Sequence, residues 1–170
     1  MSETQWGSGR WRQFVRSRKA AQGAQSDLGD LPDWRLSDLY PAMDSPELTG
    51  DMERAATEAA AFAEAWKGKL AAAAGSAELG GAVRAYEAIE ERIGRIASYA
   101  GLLYAADTSD PTRAKFYGDV QQHLTDLSAH LLFFQLEMNQ IGEDVLDEAY
   151  GRDPVLARYK PWIDDLRLEK

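Results

Sequence analysis

Apolar residues recur at helical spacing in three long segments of the chain. The segments cover residues 46–75, 76–107 and 117–141, and their apolar side chains step by three or four positions. Such steps place the side chains on one face of a helix. The third stripe keeps the most regular rhythm, through Tyr117, Val120, Leu124, Leu127, Leu131, Phe134, Met138 and Ile141.

Shorter helical patterns follow the third segment. Residues 143–150 fit a short helix and residues 161–170 begin another, whereas no alternating strand pattern exceeds four residues. Short connections between the long helices favour antiparallel neighbours. The sequence therefore predicts an all-α fold, an elongated array of three long antiparallel helices followed by shorter helices.

The first thirty residues have no sustained apolar period. They carry several glycines and serines and a basic cluster that includes Arg10, Arg12 and Arg16, which predicts a disordered leader. We expect residues 31–170 to form one helical domain. Its first stretch, residues 31–41, is apolar with a proline near each end, and it predicts an extended segment or short turn lying against the helices.

Charge and composition exclude several classes of function. The formal net charge is −9, and because residues 1–19 hold five basic groups and one acidic group, the remainder carries 14 basic and 27 acidic groups, or −13. Such an acidic body repels nucleic acid. The apolar runs are too short to cross a membrane. The chain has no cysteine, which suits a cytoplasmic location and rules out thiolate chemistry.

Two histidines are the first candidates for metal binding. His123 and His130 lie seven residues apart on one predicted helix, roughly 10 Å along its axis, which is too far for one zinc ion. Asp119 and Asp126 flank His123 at helical spacing and offer a weak ion site. A surface ion pair is the preferred interpretation for His123, and a partly buried position for His130.

Three carboxylates on the second predicted helix are candidates for acid and base catalysis. Glu87, Glu90 and Glu91 lie within about one turn of each other. The alternative is a solvated face whose carboxylates pair with arginines. It is favoured because suitable partners lie at helical spacing on both sides, namely Arg84, Arg92 and Arg95.

No familiar catalytic motif is present. A Gly-x-Ser-x-Gly elbow and a glycine-rich phosphate loop with its lysine are both missing from the sequence, and Gly80 and Gly81 lie inside a helical pattern. No catalytic, cofactor-binding or metal-binding residue is assigned. The segment 131–134 is apolar on both faces of its helix, which predicts an interface with a covering domain or partner.

Four ordered phrases resemble the N-terminal region of oligoendopeptidase F, over residues 31–170. They are Leu31-Pro-Asp-Trp-Arg-Leu-Ser-Asp-Leu-Tyr-Pro41, Asp44-Ser-Pro-Glu-Leu48, Ser98-Tyr-Ala-Gly-Leu-Leu-Tyr-Ala-Ala-Asp107 and His130-Leu-Leu-Phe-Phe-Gln-Leu-Glu137. The resemblance implies a cytosolic zinc metallopeptidase of the thimet-oligopeptidase type, which cleaves short peptides in a helical fold with a deep cleft. Its N-terminal helices form part of the cleft wall.

The same resemblance implies that zinc belongs to a catalytic domain outside this chain. The family's zinc is held by a His-Glu-x-x-His helix, and neither His123 nor His130 begins such a motif. The first hypothesis is therefore a truncated or dissected peptidase, inactive alone, whose partners are oligopeptides and the catalytic domain. The alternative is a free-standing interaction module that buries its Phe133 and Trp162 surfaces in a homo-oligomer or a partner.

Overall fold

A computed structural model describes residues 35–168, and all of its regular structure is helical. The all-α prediction is confirmed. A short 3-10 helix at Leu36–Asp38 precedes the α-helices, which are α1 (Pro46–Trp66), α2 (Leu70–Ser76), α3 (Leu79–Ala106), α4 (Pro111–Ser128), α5 (Leu132–Gln140), α6 (Glu143–Arg152), α7 (Pro154–Arg158) and α8 (Lys160–Leu168).

The expected leader, residues 1–30, lies outside the described residues. Within the described part, none of the helices has the length and apolar character needed to cross a membrane.

Three helices begin with a polar cap followed by proline. Ser45 Oγ accepts from the Leu48 amide (3.3 Å), and Asp110 Oδ1 accepts from the Thr112 amide (2.8 Å). Asp153 caps α7 in the same way. The side-chain oxygen satisfies an amide that the first helical turn leaves free, and the proline that follows has no amide to lose.

The helices α1, α3 and α4 pack against one another and form the main bundle. Their facing positions are fully buried small and branched residues, as in Ala55 and Ala59 of α1, Ile96 of α3 and Val120 of α4. Small side chains on α1 allow the helix axes to approach closely, and the branched partners fill the remaining space. The parts of the predicted apolar stripes that lie in α1, α3 and α4 form the core of this bundle.

The first long stripe is divided between two helices. α1 ends at Trp66, Gly68 takes a left-handed conformation with φ of +79°, and α2 starts at Leu70. A side chain at residue 68 would be strained, so glycine permits the sharp turn. Glu137 of α5 accepts a hydrogen bond from the Gly68 amide (2.6 Å) and lies 3.5 Å from the Leu70 amide.

The third stripe is also divided. α4 ends at Ser128 and α5 begins at Leu132, with tight turns formed by the His130 and Leu131 amides. The Thr125 and Ser128 hydroxyls donate to carbonyls four residues earlier, which weakens the end of a helix. After this bend α5 packs on α2, so the two breaks place these short helices against each other.

Of the segment predicted over residues 31–41, the structure describes residues 35–41, where a short 3-10 helix is followed by the buried Tyr40. Tyr40 joins this part to α1 and α3. Its hydroxyl donates to Asp51 Oδ2 (2.9 Å), and its ring packs edge-on against Tyr99 of α3. The Arg95 guanidinium lies over the same ring at 4.8 Å and donates to the Leu39 carbonyl. Burial is the main reason that the pKa of Tyr40 is raised to about 12, and the hydrogen bond to Asp51 adds to it.

Asp153 joins the start of α7 to the start of α3. One carboxylate oxygen accepts from the Val155 and Leu156 amides (2.9 and 3.2 Å), and the other accepts from the Gly80 amide (3.0 Å). The residue is only 7% exposed, so these bonds replace water around a buried charge. This contact sets the position of the C-terminal helices beside α3.

Candidate functional site

An open groove of about 660 Å³ lies between α3 and α8, with α5 contributing to its lining. Its volume is within the range of small-ligand and peptide pockets. On α3 the lining positions follow one helical face, and on α8 Asp165 and Leu166 lie three and four residues after Trp162. The apolar and aromatic lining side chains are Val83, Tyr86, Tyr159, Trp162 and Leu166.

The aromatic part of the groove is a stack of three rings. Tyr86 lies parallel to Phe134 at a centroid distance of 4.1 Å, and Trp162 lies 6.1 Å from Tyr86 and 6.3 Å from Phe134. Phe134 is completely buried, whereas Trp162 is 38% exposed. A buried ring therefore supports an accessible one, which fixes the Trp162 face at the groove.

The charged lining side chains are all carboxylates. They are Glu87, Glu90 and Glu91 on α3 and Asp165 on α8. Opposite walls of the groove thus carry the same sign of charge. An anionic ligand would be repelled there, and a cationic ligand would be attracted from both sides.

Glu90 is the carboxylate most affected by the groove. Desolvation raises the pKa of Glu90, although the residue as a whole remains exposed, and the nearby Tyr86 hydroxyl acts on this pKa in the opposite direction. The pKa of Tyr86 is raised to about 12, mainly by burial and also by the nearby Glu90. A carboxylate that has lost part of its water gains more from a cationic partner than a fully hydrated one.

Glu87 belongs to the rim of the same groove. Its Oε2 accepts from the Tyr159 hydroxyl (2.5 Å), and this bond is the main reason that the pKa of Tyr159 is raised. Arg84 also lies close to Tyr159 and acts on its pKa in the opposite direction. The hydrogen bond joins α3 to the turn before α8 at this end of the groove.

The favoured interpretation of the α3 carboxylates as a face paired with nearby arginines is wrong for two of those arginines. Arg92 pairs with Glu58 and with Asp51 (3.5 Å), and Arg95 pairs with Asp51 (3.8 Å), so both turn toward α1. The periodicity of α3 distinguishes its faces but does not identify the neighbour of each one. Glu90 and Glu91 face the groove instead.

The two histidines are separated by the break in the third stripe. His123 lies on α4 with Nε2 3.4 Å from the Met52 carbonyl oxygen, and His130 lies in the turn before α5. The expected burial of His130 is wrong, because the residue is exposed.

The acidic neighbours of His123 have other partners. Asp119 pairs with Lys115 (2.5 Å) and Asp126 accepts from Gln122 (2.9 Å). Within residues 35–168, no group of three acidic or histidine side chains is placed to hold a metal ion.

On the α8 side of the groove, the sequence singled out Trp162 as an interface residue but did not identify Tyr159, Asp165 or Leu166. Trp162, Asp165 and Leu166 are spaced by three and one positions, which places them on one helical face, but a helix this short has too weak a pattern to show what it faces. Tyr159 precedes α8 in a turn and gives no sequence signal. Only the tertiary contacts bring these residues opposite Glu90.

The apolar surface observed near residues 131–134 differs in part from the predicted one. Phe133 is buried against Phe62 at a ring distance of 5.6 Å. The exposed apolar residues of α5 are Leu132 and Leu136, at 59% and 55% exposure, one helical turn apart on the same face. A second apolar surface is therefore present. Leu132 belongs to the predicted segment, Leu136 extends the surface by one turn, and Phe133 is not part of it.

Comparison with protein-family models, curated proteins and solved structures found no match for this chain.

Proposed function

We propose that the chain is the N-terminal cleft-wall portion of a cytoplasmic zinc oligopeptidase similar to oligoendopeptidase F. The proposal starts from the four ordered phrases between residues 31 and 137 that resemble this family. Peptide hydrolysis would need a zinc-bearing catalytic domain, because the sequence contains no His-Glu-x-x-His motif.

The groove between α3 and α8 is the structural observation that carries the proposal. A wall that contacts extended peptides needs an open surface with apolar and polar groups in reach of a backbone and its side chains. Trp162 and Tyr86 supply the apolar area, and Gln135 supplies an amide that both donates and accepts. The zinc domain would close the opposite side and provide the chemistry.

The exposed leucines of α5 support the same proposal. Leu132 and Leu136 form an apolar pair on a helix whose other face is buried, and such pairs commonly mark a contact with another domain or chain. In the alternative function, an interaction module, the same leucines would meet a second copy or a partner protein.

The test combines two measurements. The first is turnover of a quenched-fluorescent oligopeptide by the purified chain, with zinc determined by elemental analysis on the same sample. The second is the DNA sequence downstream of the codon for Lys170. We expect neither turnover nor stoichiometric zinc from the chain, and a continuous reading frame that encodes His-Glu-x-x-His.

Two results would contradict the proposal. Chelator-sensitive turnover with one zinc per chain would mean that the chain has its own metal site. A stop codon directly after Lys170, with a stable oligomer of defined size at low concentration, would favour the interaction module.

A further inference from the structure

We propose that the groove between α3 and α8 binds basic peptides, with an arginine or lysine side chain lying on Trp162 and its charged head between Glu90 and Asp165. This inference deepens the proposed function by naming the peptide chemistry. Its test requires only the chain itself, so the two proposals fail separately.

Charge complementarity selects the occupant. The carboxylates stand on both walls, Glu90 and Glu91 on α3 and Asp165 on α8, while the lining side chains include no basic residue. A described cation, Arg84, acts on Tyr159, which donates to Glu87 at the other end of the groove. The groove therefore presents an acidic rim at its Glu90 end, where a guanidinium or ammonium head can be held.

The aromatic stack explains why a basic side chain fits better than a bare cation. A guanidinium stacks favourably on an indole face, and the methylene stem of arginine or lysine gains from contact with apolar surface. Trp162 is 38% exposed, and its ring lies 6.3 Å from that of the buried Phe134. Leu166, one turn further along α8, extends the apolar surface.

The size of the groove points to a peptide. At about 660 Å³ it is much larger than one ion or one side chain requires. Gln135 of α5 offers a carbonyl and an amide group to a peptide backbone. A short chain with one or two basic residues would satisfy the rim, the aromatic stack and the amide together.

The experiment is calorimetric titration of the full chain with a capped six-residue peptide that contains two arginines. A peptide of the same sequence with citrulline in place of arginine is the neutral control, since it keeps the shape and removes the charge. We expect the arginine peptide to bind at least about tenfold more tightly, a difference of about 1.4 kcal/mol. We also expect its affinity to fall as salt is raised, because the contacts are partly exposed.

Matched variants separate the groove from the general acidity of the protein. Glu90→Gln with Asp165→Asn should reduce the affinity for the arginine peptide by about tenfold or more. Glu53→Gln with Asp119→Asn removes two exposed carboxylates outside the groove and should leave the affinity within about twofold. Trp162→Ala should weaken binding more than Trp162→Phe, because phenylalanine keeps an aromatic face.

Several outcomes would overturn the inference. Equal binding of the arginine and citrulline peptides would show that the groove does not select charge, and it would leave the peptidase proposal standing. Equal losses in both double variants would assign binding to overall acidity. Absence of heat at peptide concentrations up to about 1 mM, or self-association of the chain that is lost in Trp162→Ala, would assign the groove to another occupant.

Discussion

At the scale of single residues, the lack of a side chain at Gly80 permits a close contact between α3 and the start of α7. A β-carbon at this position would lie 2.4 Å from Asp153 Oδ2 and 2.8 Å from the Leu156 amide nitrogen. The second contact is with backbone, which cannot turn aside as a flexible side chain can. The absence of a side chain therefore allows the buried carboxylate of Asp153 to serve two helix ends.

The first prediction compares two neighbouring glycines. Gly80→Ala should lower the free energy of unfolding by about 1–3 kcal/mol, because the added methyl overpacks the contact with α7. Gly81→Ala is the matched control, since its β-carbon would meet nothing within 4 Å, and alanine should stabilise α3 by up to about 1 kcal/mol. Urea unfolding followed by circular dichroism measures both. Equal effects of the two substitutions would contradict the contact.

The second prediction concerns Glu90 and pH. Desolvation raises the pKa of Glu90 above its ordinary value of 4.5, so the folded chain holds this proton more tightly than the unfolded chain. Its contribution to stability therefore decreases as pH rises from 4.5 through the raised value. Glu90→Gln should be more stable than the parent at pH 7, and the gain should vanish below about pH 4.

The control for the pH prediction is Glu53→Gln. It removes one exposed carboxylate from α1 and corrects for the change in net charge of an acidic protein. Thermal melts from pH 3.5 to 8 in about 0.15 M salt measure the difference in melting temperature between the two variants. A gain that increases toward low pH would reverse the sign and contradict the raised pKa.

At the scale of helices, the sequence identifies the buried face and the beginning of a helix well. It identifies less well where a helix breaks and which neighbours it packs against. The stripes from Ala55 to Phe62 and from Val83 to Ala100 are in the core, and the first predicted segment, residues 46–75, begins where α1 begins, at Pro46. The continuous helices predicted through Gly68 and through residues 129–131 are wrong. In both cases the apolar rhythm continues across the break, because the residues after it are buried against new neighbours.

The groove between α3 and α8 shows that the sequence is equally limited in identifying a functional site. Glu87, Glu90 and Glu91 are identified as a cluster by the sequence, but their meaning depends on α8, which lies about 70 residues away along the chain. A helical period records which side chains share a face. It does not record whether that face meets solvent, arginines or a groove.

The third prediction tests the hydrogen bond from the Gly68 amide to Glu137, which joins the break after α1 to α5. Glu137→Ala should lower the stability of the chain by about 1 kcal/mol, since the Gly68 amide loses a charged acceptor. Hydrogen exchange should accelerate most in α2. Gln140→Ala, which changes an exposed residue on the same helix, should leave α2 protected. Uniform acceleration over the whole protein would indicate that α2 is not an independently opening segment.

At the scale of the whole molecule, the described helices have one continuous apolar core but two remaining apolar surfaces. The groove is bordered by carboxylates, so its apolar area is accompanied by charge. Leu132 and Leu136 are much more exposed than the other large apolar residues of α5. These surfaces differ in chemistry, and we expect them to have different partners, a basic peptide for the first and a protein surface for the second.

The fourth prediction tests the leucine pair. If it normally contacts a covering domain, the isolated chain should self-associate as concentration rises, and Leu132→Gln with Leu136→Gln should remove this association. Unfolding free energy should change by less than about 0.5 kcal/mol, because both side chains are already in water. Leu102→Gln, at a 39% exposed residue of α3, is the control and should leave association intact.

Sedimentation velocity over a hundredfold concentration range measures the effect. A parent chain that stays monomeric throughout would contradict the contact, whereas a discrete dimer at the lowest concentration, lost in the double variant, would favour the interaction module over the peptidase fragment.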